Sequence, residues 1–93
     1  MRTIRWTAQF KRDYKREKRG RHRTTLDNDL LTIIQALVTD ANLPESVHDH
    51  SLTGNLKDCR DCHIKPDLVL IYRKIDDDTL ELVRLGSHSE LGF

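Results

Sequence analysis

Cysteine, proline, glycine and aromatic residues are all scarce in this chain of 93 residues, which has two cysteines, two prolines, four glycines and 5% aromatics. Two cysteines are too few for a disulfide scaffold. No apolar run approaches the ~18 residues that a transmembrane helix needs, and the charged N-terminal segment lacks the apolar stretch of a secretory signal. We therefore expect one cytoplasmic domain over residues 1–93, with no membrane partner.

The net charge is also small, +1, but the two signs are unevenly distributed. Residues 1–24 hold ten Lys and Arg against two acidic residues, a net charge of +8, whereas the remainder holds six basic and 13 acidic residues, a net charge of −7. A solvated helix needs fewer charges than this basic segment carries, which predicts contact with nucleic acid or the ribosome. The candidate RNA- or ribosome-binding residues are Lys11, Arg12, Lys15, Arg16, Lys18 and Arg19.

Hydropathy patterns predict a strand followed by two helices in the N-terminal half. Charged residues alternate with apolar or β-branched ones over Arg2–Trp6, which is typical of a short strand. Thr7 is a candidate cap for the first helix. Thr24 and Asp27 resemble a capping box for a second, amphipathic helix, which the apolar spacing predicts to run to about Ala41.

The C-terminal third of the chain changes to a period of two and predicts three strands. Residues 68–74 indicate a mostly buried central strand, and residues 80–85 indicate a last strand with Leu80, Leu82 and Arg84 on one face. The order of elements is β-α-α-β-β-β. We therefore expect an α+β fold, in which a small antiparallel sheet packs against a two-helix hairpin.

The segment Cys59-Arg60-Asp61-Cys62-His63 matches the C-x-x-C-H spacing of haem attachment and contains the C-x-x-C of zinc or dithiol redox sites. Haem attachment requires export, and zinc would need further ligands, for which His48 and His50 are the candidates. Alternation along a strand also places the two thiols on opposite faces. We favour two semi-buried strand residues, with a small metal or redox protein as the alternative.

Histidine is abundant, with five in the chain and four of them beside loops or strand ends of the C-terminal half. Because imidazole titrates near neutrality, two histidines can supply the base and the acid that phosphodiester cleavage needs. The candidates are His50, His63 and His88, with Asp67, if the fold brings them to one rim of the sheet. Arg84 lies in an otherwise apolar strand and either pairs with a carboxylate or faces a site where its guanidinium would bind phosphate.

Four segments carry a resemblance to a known family. They are residues 49–54 (DHSLTG), 60–67 (RDCHIKPD), 70–72 (LIY) and 84–91 (RLGSHSEL). In this order and spacing, with the motifs D-H-x-L-x-G, H-I-x-P-D and R-x-G-[ST]-H, the chain resembles the YafQ branch of the RelE/ParE toxin superfamily. The likeness is close from about residue 44 onward, and upstream the strand–helix–helix layout and the basic character agree.

The resemblance implies a bacterial type II toxin that is a ribosome-dependent endoribonuclease, cutting mRNA in the A site without metal or cofactor. The ribose 2′-hydroxyl attacks the adjacent phosphate and leaves a 2′,3′-cyclic phosphate and a 5′-hydroxyl. By match to the motifs, the catalytic residues are His50, His63, Asp67 and His88 as the acid/base set, with Arg84 steadying the phosphorane. Which histidine is the base stays open.

The chain departs from the family pattern at two positions. Leu68 stands where some members carry an aromatic residue that would stack an mRNA base, so codon preference is expected to differ. The C-terminal aromatic residue is Phe93, one place later than in a relative, and it is a candidate substrate contact.

The resemblance also implies partners. They are a cognate antitoxin, in a complex expected to be a heterotetramer, together with the ribosome and mRNA, whereas DNA would be contacted only through the antitoxin. The alternative within the superfamily is a ParE-like or degenerate toxin that blocks a target by binding, without cleaving RNA.

Overall fold

The computed structural model describes residues 2–20, 22–47, 49–52 and 58–92, which form one five-stranded sheet with two long helices on one face. The elements are β1 (Thr3–Trp6), α1 (Ala8–Lys18), α2 (Leu26–Val38), a 3-10 helix (Glu45–Val47), β2 (His50–Ser51), β3 (Arg60–Lys65), β4 (Leu68–Asp76), β5 (Thr79–Gly86) and α3 (His88–Leu91). The predicted α+β class is confirmed, and the 3-10 helix, β2 and α3 are short additions to the predicted elements. Among the described residues, no helix is long and apolar enough to cross a membrane.

The start of α1 is confirmed, and the end of α2 lies earlier than predicted. The Thr7 hydroxyl accepts a hydrogen bond from the amide of Phe10 (2.9 Å), which satisfies one of the amides at the start of α1. α2 ends at Val38 rather than near Ala41, because Asp40 adopts a left-handed backbone conformation (φ 57°) that a helix does not continue.

The capping box predicted at Thr24 and Asp27 is wrong. Thr25 is the N-cap of α2, and its side chain makes no capping hydrogen bond to the described residues. The Asp27 carboxylate is used elsewhere, since it accepts hydrogen bonds from Tyr14 and Lys18 of α1. Asp27 therefore joins the two helices instead of capping one of them.

The strands lie in the order β1-β5-β4-β3-β2. β2 to β5 are antiparallel neighbours, as predicted, but β1 pairs with β5 in parallel. The expectation of a fully antiparallel sheet is therefore wrong at this edge. β1 and β5 are the first and last strands, so no hairpin fixes their relative direction, and the chain between them is long enough for a parallel pair.

Two hydrophobic clusters lie on opposite faces of the sheet. The larger one packs α1 and α2 against what we call the helix face, and its members include Phe10, Leu30, Leu37, Leu70 and Leu82. The smaller one, on what we call the open face, is formed by Cys59, Val69 and Ile71, with Leu91 of α3 packed against it. Alternation along β4 separates the two clusters and buries this strand on both sides.

A register shift between β4 and β5 changes the phase of the last strand. It leaves Val83 as an extra residue on β5. Leu85, rather than Arg84, therefore joins Leu80 and Leu82 in the helix-face core. The prediction that Arg84 shares a face with those two leucines is wrong, because a strict period of two does not continue through a bulge.

Candidate active site

His63, Asp67 and His88 meet where β3, the β3–β4 turn and the start of α3 come together. The Nε2 atoms of His63 and His88 are 3.1 Å apart, and Nδ1 of His88 is 2.7 Å from Oδ1 of Asp67. Three of the four predicted acid/base residues therefore form one hydrogen-bonded chain.

These contacts determine where protons can lie in the chain. An ionised carboxylate only accepts hydrogen bonds, so the contact with Asp67 fits the tautomer of His88 that has its proton on Nδ1. A hydrogen bond between the two facing Nε2 atoms requires one ring to donate and the other to accept. Imidazole can act as a base or as an acid, so two adjacent rings are a suitable pair for acid/base chemistry.

The turn and the start of α3 hold Asp67 and His88 in place. Asp67 also accepts a hydrogen bond from the backbone amide of His88 (3.2 Å), and Ser87 and Glu90 form a capping box at the start of α3. The side chains of His88 and Asp67 remain 42% and 48% exposed. A phosphodiester from another molecule can therefore reach them.

Arg84 is held by a buried carboxylate that the sequence patterns did not indicate. Asp13 of α1 is fully buried and accepts hydrogen bonds from Nε of Arg84 (2.7 Å) and from the amide of Leu85 (3.0 Å). Burial opposes ionisation of Asp13, but these hydrogen bonds outweigh it and hold the pKa of the carboxyl below its ordinary value. Arg84 thus pairs with a carboxylate, while 30% of its side chain remains exposed.

The basic face of α1 divides into bridging and exposed residues. Arg16 bridges α1 to β5 and α3, because it donates to the carbonyl oxygen of Leu85 (2.8 Å) and pairs with Glu90 (2.9 Å). Lys18 pairs with Asp27 (2.8 Å). The remaining predicted RNA- or ribosome-binding residues are exposed, and they are Lys11, Arg12, Lys15 and Arg19.

Several predicted residues fall outside the described part of the chain. β2 pairs the backbone of His50 with Asp61 of β3, but the His50 side chain is not described. Phe93, the candidate substrate contact, and His48, the candidate zinc ligand, also lie outside the described residues.

Leu68, which stands where some family members carry an aromatic residue, offers no surface for base stacking. Leu68 is fully buried in the helix-face core, so its side chain is not available to an mRNA base. A cleft of about 870 Å³ lies beside His63, between α2 and β3, and its walls include Thr32, Val47 and Lys65. An mRNA base could reach this cleft beside His63, whereas it could not reach the buried side chain of Leu68.

The two cysteines lie on opposite faces, as alternation predicts, with Cys59 in the open-face cluster and Cys62 in the helix-face core. Burial raises the pKa of Cys59, and that of Cys62 to about 12, so neither thiol ionises near neutrality. Within the described ranges, no group of three or more His, Cys, Asp or Glu side chains is arranged to hold a metal. The geometry therefore gives no support to a dithiol redox site.

Comparison with known proteins places the chain among the small α+β toxins with a RelE-like fold. The family described as "Bacterial toxin of type II toxin-antitoxin system, YafQ" matches residues 2–92. The chain belongs to this YafQ family, which confirms the resemblance drawn from the sequence motifs.

Similar proteins extend over nearly the whole chain. An Escherichia coli K12 protein named mRNA interferase toxin YafQ is 35% identical over 91 residues, which are 97% of this chain and 95% of that protein. A metal-bound toxin from Helicobacter pylori is 41% identical with a TM-score of 0.81, covering 98% of this chain and 99% of that one. The E. coli DinJ–YafQ complex gives 32% identity, a TM-score of 0.78 and 98% coverage of each chain. The predicted enzyme class, an endoribonuclease, is confirmed at the level of the family.

Proposed function

We propose that the protein is an mRNA interferase, a ribosome-dependent endoribonuclease that cuts mRNA in the A site by metal-free acid/base catalysis and so inhibits translation in the bacterial cytoplasm. The observation that carries this proposal is the hydrogen-bonded chain from Asp67 through His88 to His63. It brings two imidazoles within 3.1 Å of each other at an accessible place on the surface. Cleavage of a phosphodiester by its own 2′-hydroxyl needs one proton removed and one delivered.

In the proposed reaction, one imidazole takes the proton of the ribose 2′-hydroxyl while the 2′-oxygen bonds to the adjacent phosphorus. The bond from phosphorus to the 5′-oxygen breaks, and a protonated group delivers a proton to that oxygen. The products are a 2′,3′-cyclic phosphate and a 5′-hydroxyl. His63 and His88 supply the acid and base, with His50 in the same set by match to the motif. Asp67 stabilises positive charge on His88.

Arg84 is proposed to stabilise the negative charge that develops on the phosphorane. Asp13 accepts hydrogen bonds from Nε (2.7 Å) and Nη2 (3.4 Å) of the guanidinium, which leaves the N–H groups of Nη1 for the phosphate. A fixed guanidinium costs less reorganisation in the transition state than a mobile one. Arg84 and Asp13 therefore act together, one as the phosphate ligand and the other as its support.

The exposed basic residues of α1 are proposed to bind the phosphate backbone of ribosomal RNA, and the ribosome orients the mRNA for this small enzyme. They are Lys11, Arg12, Lys15 and Arg19. A cognate antitoxin with an acidic segment would compete for this surface. Crystals of E. coli YafQ with DinJ support the existence of such a partner. We propose a heterotetrameric complex that contacts DNA through the antitoxin.

The test of this proposal compares the wild type with a variant carrying alanine at His50, His63, Asp67 and His88. Induced expression of the wild type should arrest growth, and ribosome-associated mRNA should gain new 5′-hydroxyl ends at A-site codons. The variant should still sediment with ribosomes but produce neither effect. Arrest by the variant, or arrest by the wild type without new 5′ ends, would identify a toxin that acts by binding.

The metal-free part of the proposal has its own assay. Because the H. pylori toxin has been crystallised with bound metal, the purified protein should be analysed for metal content. Sub-stoichiometric zinc, iron and copper in fully active protein are expected. Activity that depends on a stoichiometric metal would contradict the metal-free mechanism.

Reversing the charge of Lys11, Arg12 and Lys15 to glutamate should weaken ribosome binding and reduce toxicity, while the protein stays folded. Since each lost phosphate contact removes roughly 0.7–0.9 from the slope of log affinity against log salt, the slope should fall by about 2–3. The measurement is ribosome affinity between 50 and 200 mM salt, about the range in which such contacts change affinity most visibly.

The matched control exchanges the same residues conservatively, as Lys11→Arg, Arg12→Lys and Lys15→Arg, and should keep wild-type binding. Arg16 is excluded from both variants because it bridges α1 to β5 and α3. Unchanged affinity and salt slope in the folded reversal variant would show that this face does not contact ribosomal RNA.

A further inference from the structure

Asp49, which lies directly before β2, is the centre of a second polar cluster. Its Oδ1 accepts a hydrogen bond from the hydroxyl of Tyr72 (2.6 Å), and its Oδ1 and Oδ2 lie 3.2 Å from Nε and Nη2 of Arg60. The same guanidinium donates from Nη1 to the hydroxyl of Ser51 (2.8 Å). One carboxylate therefore connects three different strands.

The hydrogen bond between Tyr72 and Asp49 joins β4 to the start of β2, although these two strands are not neighbours in the sheet. Tyr72 is a buried residue of the central strand β4, with 2% of its surface exposed, and β3 lies between β4 and β2. Arg60 of β3 pairs with both Tyr72 and Ser51, so these three residues form one row across the strands. Asp49 thus anchors the beginning of β2 to a buried residue of the central strand β4.

β2 depends on such an anchor because it is very short. It contains two residues, whose backbones pair with Asp61 and Arg60 of β3. An edge strand of this length has few ladder hydrogen bonds and opens easily. A hydrogen bond from a neutral hydroxyl to a carboxylate is one of the stronger contacts available to restrain it.

The tyrosine hydroxyl remains a donor over the whole working range of pH. Burial raises the pKa of Tyr72, and the neighbouring Asp49 carboxylate raises it further. The hydroxyl therefore stays protonated and directed at Asp49, which in turn lies next to His50 in the chain.

We propose that Asp49 is a positioning residue for His50, and that Tyr72 and Arg60 hold it so that β2 keeps its register beside the strand that carries His63. This inference rests on the proposed ribonuclease function, in which His50 belongs to the acid/base set. In this proposal Asp49 has no direct contact with the RNA. Asp49 affects cleavage by fixing the position of His50 and limiting its movement.

The test is Tyr72→Phe, which removes the hydroxyl and leaves the buried ring in place. We expect kcat for cleavage of A-site mRNA on ribosomes to fall about 10- to 100-fold, as expected for a catalytic group displaced by about 1 Å. The KM for programmed ribosomes should stay unchanged. Asp49→Ala, which removes the acceptor rather than the donor, should lower kcat in the same way.

The chain contains a matched control in its second tyrosine. The hydroxyl of Tyr14 also donates to an aspartate, Asp27, but this contact joins α1 to α2 on the helical side of the protein. Tyr14→Phe removes the same kind of hydrogen bond and should leave kcat unchanged. An equal loss in both variants would indicate a general effect on folding and overturn the proposed role.

A structural readout separates this inference from the proposed function. In NMR spectra of the free protein, Tyr72→Phe should shift or broaden the imidazole signal of His50 and leave those of His63 and His88 in place. If the His50 signal keeps its wild-type position, the positioning role is wrong, whether or not the protein cleaves RNA. If the signal moves and kcat does not, β2 is anchored as described but the anchor serves no catalytic purpose. Absence of cleavage by the wild type would refute the proposed function and not the anchor.

Discussion

Replacing His88 by alanine is expected to lower the rate of ribosome-dependent mRNA cleavage by about 10²- to 10⁴-fold, the usual contribution of a positioned acid or base. His88 is the central member of the hydrogen-bonded row of side chains, since it contacts Asp67 through Nδ1 and His63 through Nε2. Its removal breaks both contacts at once. The measurement is the single-turnover rate on ribosomes with a defined codon in the A site.

Asp67→Asn should cause a smaller loss than His88→Ala, because an amide oxygen still accepts the Nδ1 proton of His88 but no longer stabilises positive charge on the ring. If Asp67 acts through His88, the double variant should be no slower than His88→Ala alone. Such non-additivity is typical of residues that act as a unit.

The control for this series is Ser89→Ala, a change at the next residue of α3, whose side chain is exposed. It should leave the cleavage rate unchanged and show that the helix tolerates substitution. A folded His88→Ala protein that keeps more than about a tenth of the wild-type rate would remove His88 from the catalytic set.

The main elements and part of the site were predictable because their signals are local. Alternation and helical spacing predict β1, both long helices and the last strands. The family motifs identify His63, Asp67 and His88 as candidate site residues. Three residues lie between His63 and Asp67, so one turn brings the two side chains close. His88 adjoins this turn because β4 and β5 form a hairpin that returns to it.

The parallel pairing of β1 and the pairing of Asp13 with Arg84 could not be predicted, because each depends on contacts between distant parts of the chain. Asp13 is separated from Arg84 by most of the sequence. It is one of two acidic residues in a helix rich in Lys and Arg, so a partner within the same helix is the simpler expectation. A signal was present in its spacing, since Asp13 lies three residues after Phe10 and one before Tyr14 and so falls on the buried face of α1. An acidic residue on that face indicates a buried partner.

Replacing Asp13 by alanine is expected to destabilise the fold by about 3–5 kcal/mol, the usual cost of removing one partner from a buried ion pair. A domain of this size has a total unfolding free energy of roughly 5–14 kcal/mol, so thermal unfolding should begin at a temperature lower by about 15–30 °C. The carboxylate accepts hydrogen bonds from Arg84, Arg16 and the amide of Leu85, and alanine satisfies none of them.

The pH dependence of stability gives a second measurement of the same carboxylate. Its pKa in the folded protein is below the ordinary value of 3.8, so its contribution is complete above about pH 4 and is lost as the pH falls through the lowered pKa. The unfolding free energy of the wild type should therefore decrease below pH 4 more steeply than that of Asp13→Asn. Equal slopes would show that Asp13 is not the group responsible.

Asp27 provides the matched control, because its carboxylate also accepts hydrogen bonds from two side chains of α1 but is 61% exposed. Asp27→Ala should have a much smaller effect, since water can replace its partners. Adding Arg84→Ala to Asp13→Ala should cost less than Arg84→Ala does alone, because the arginine has already lost the carboxylate that compensates its charge. If the two changes are additive, Asp13 does not hold Arg84, and the preorganised phosphate ligand proposed for the reaction loses its structural basis.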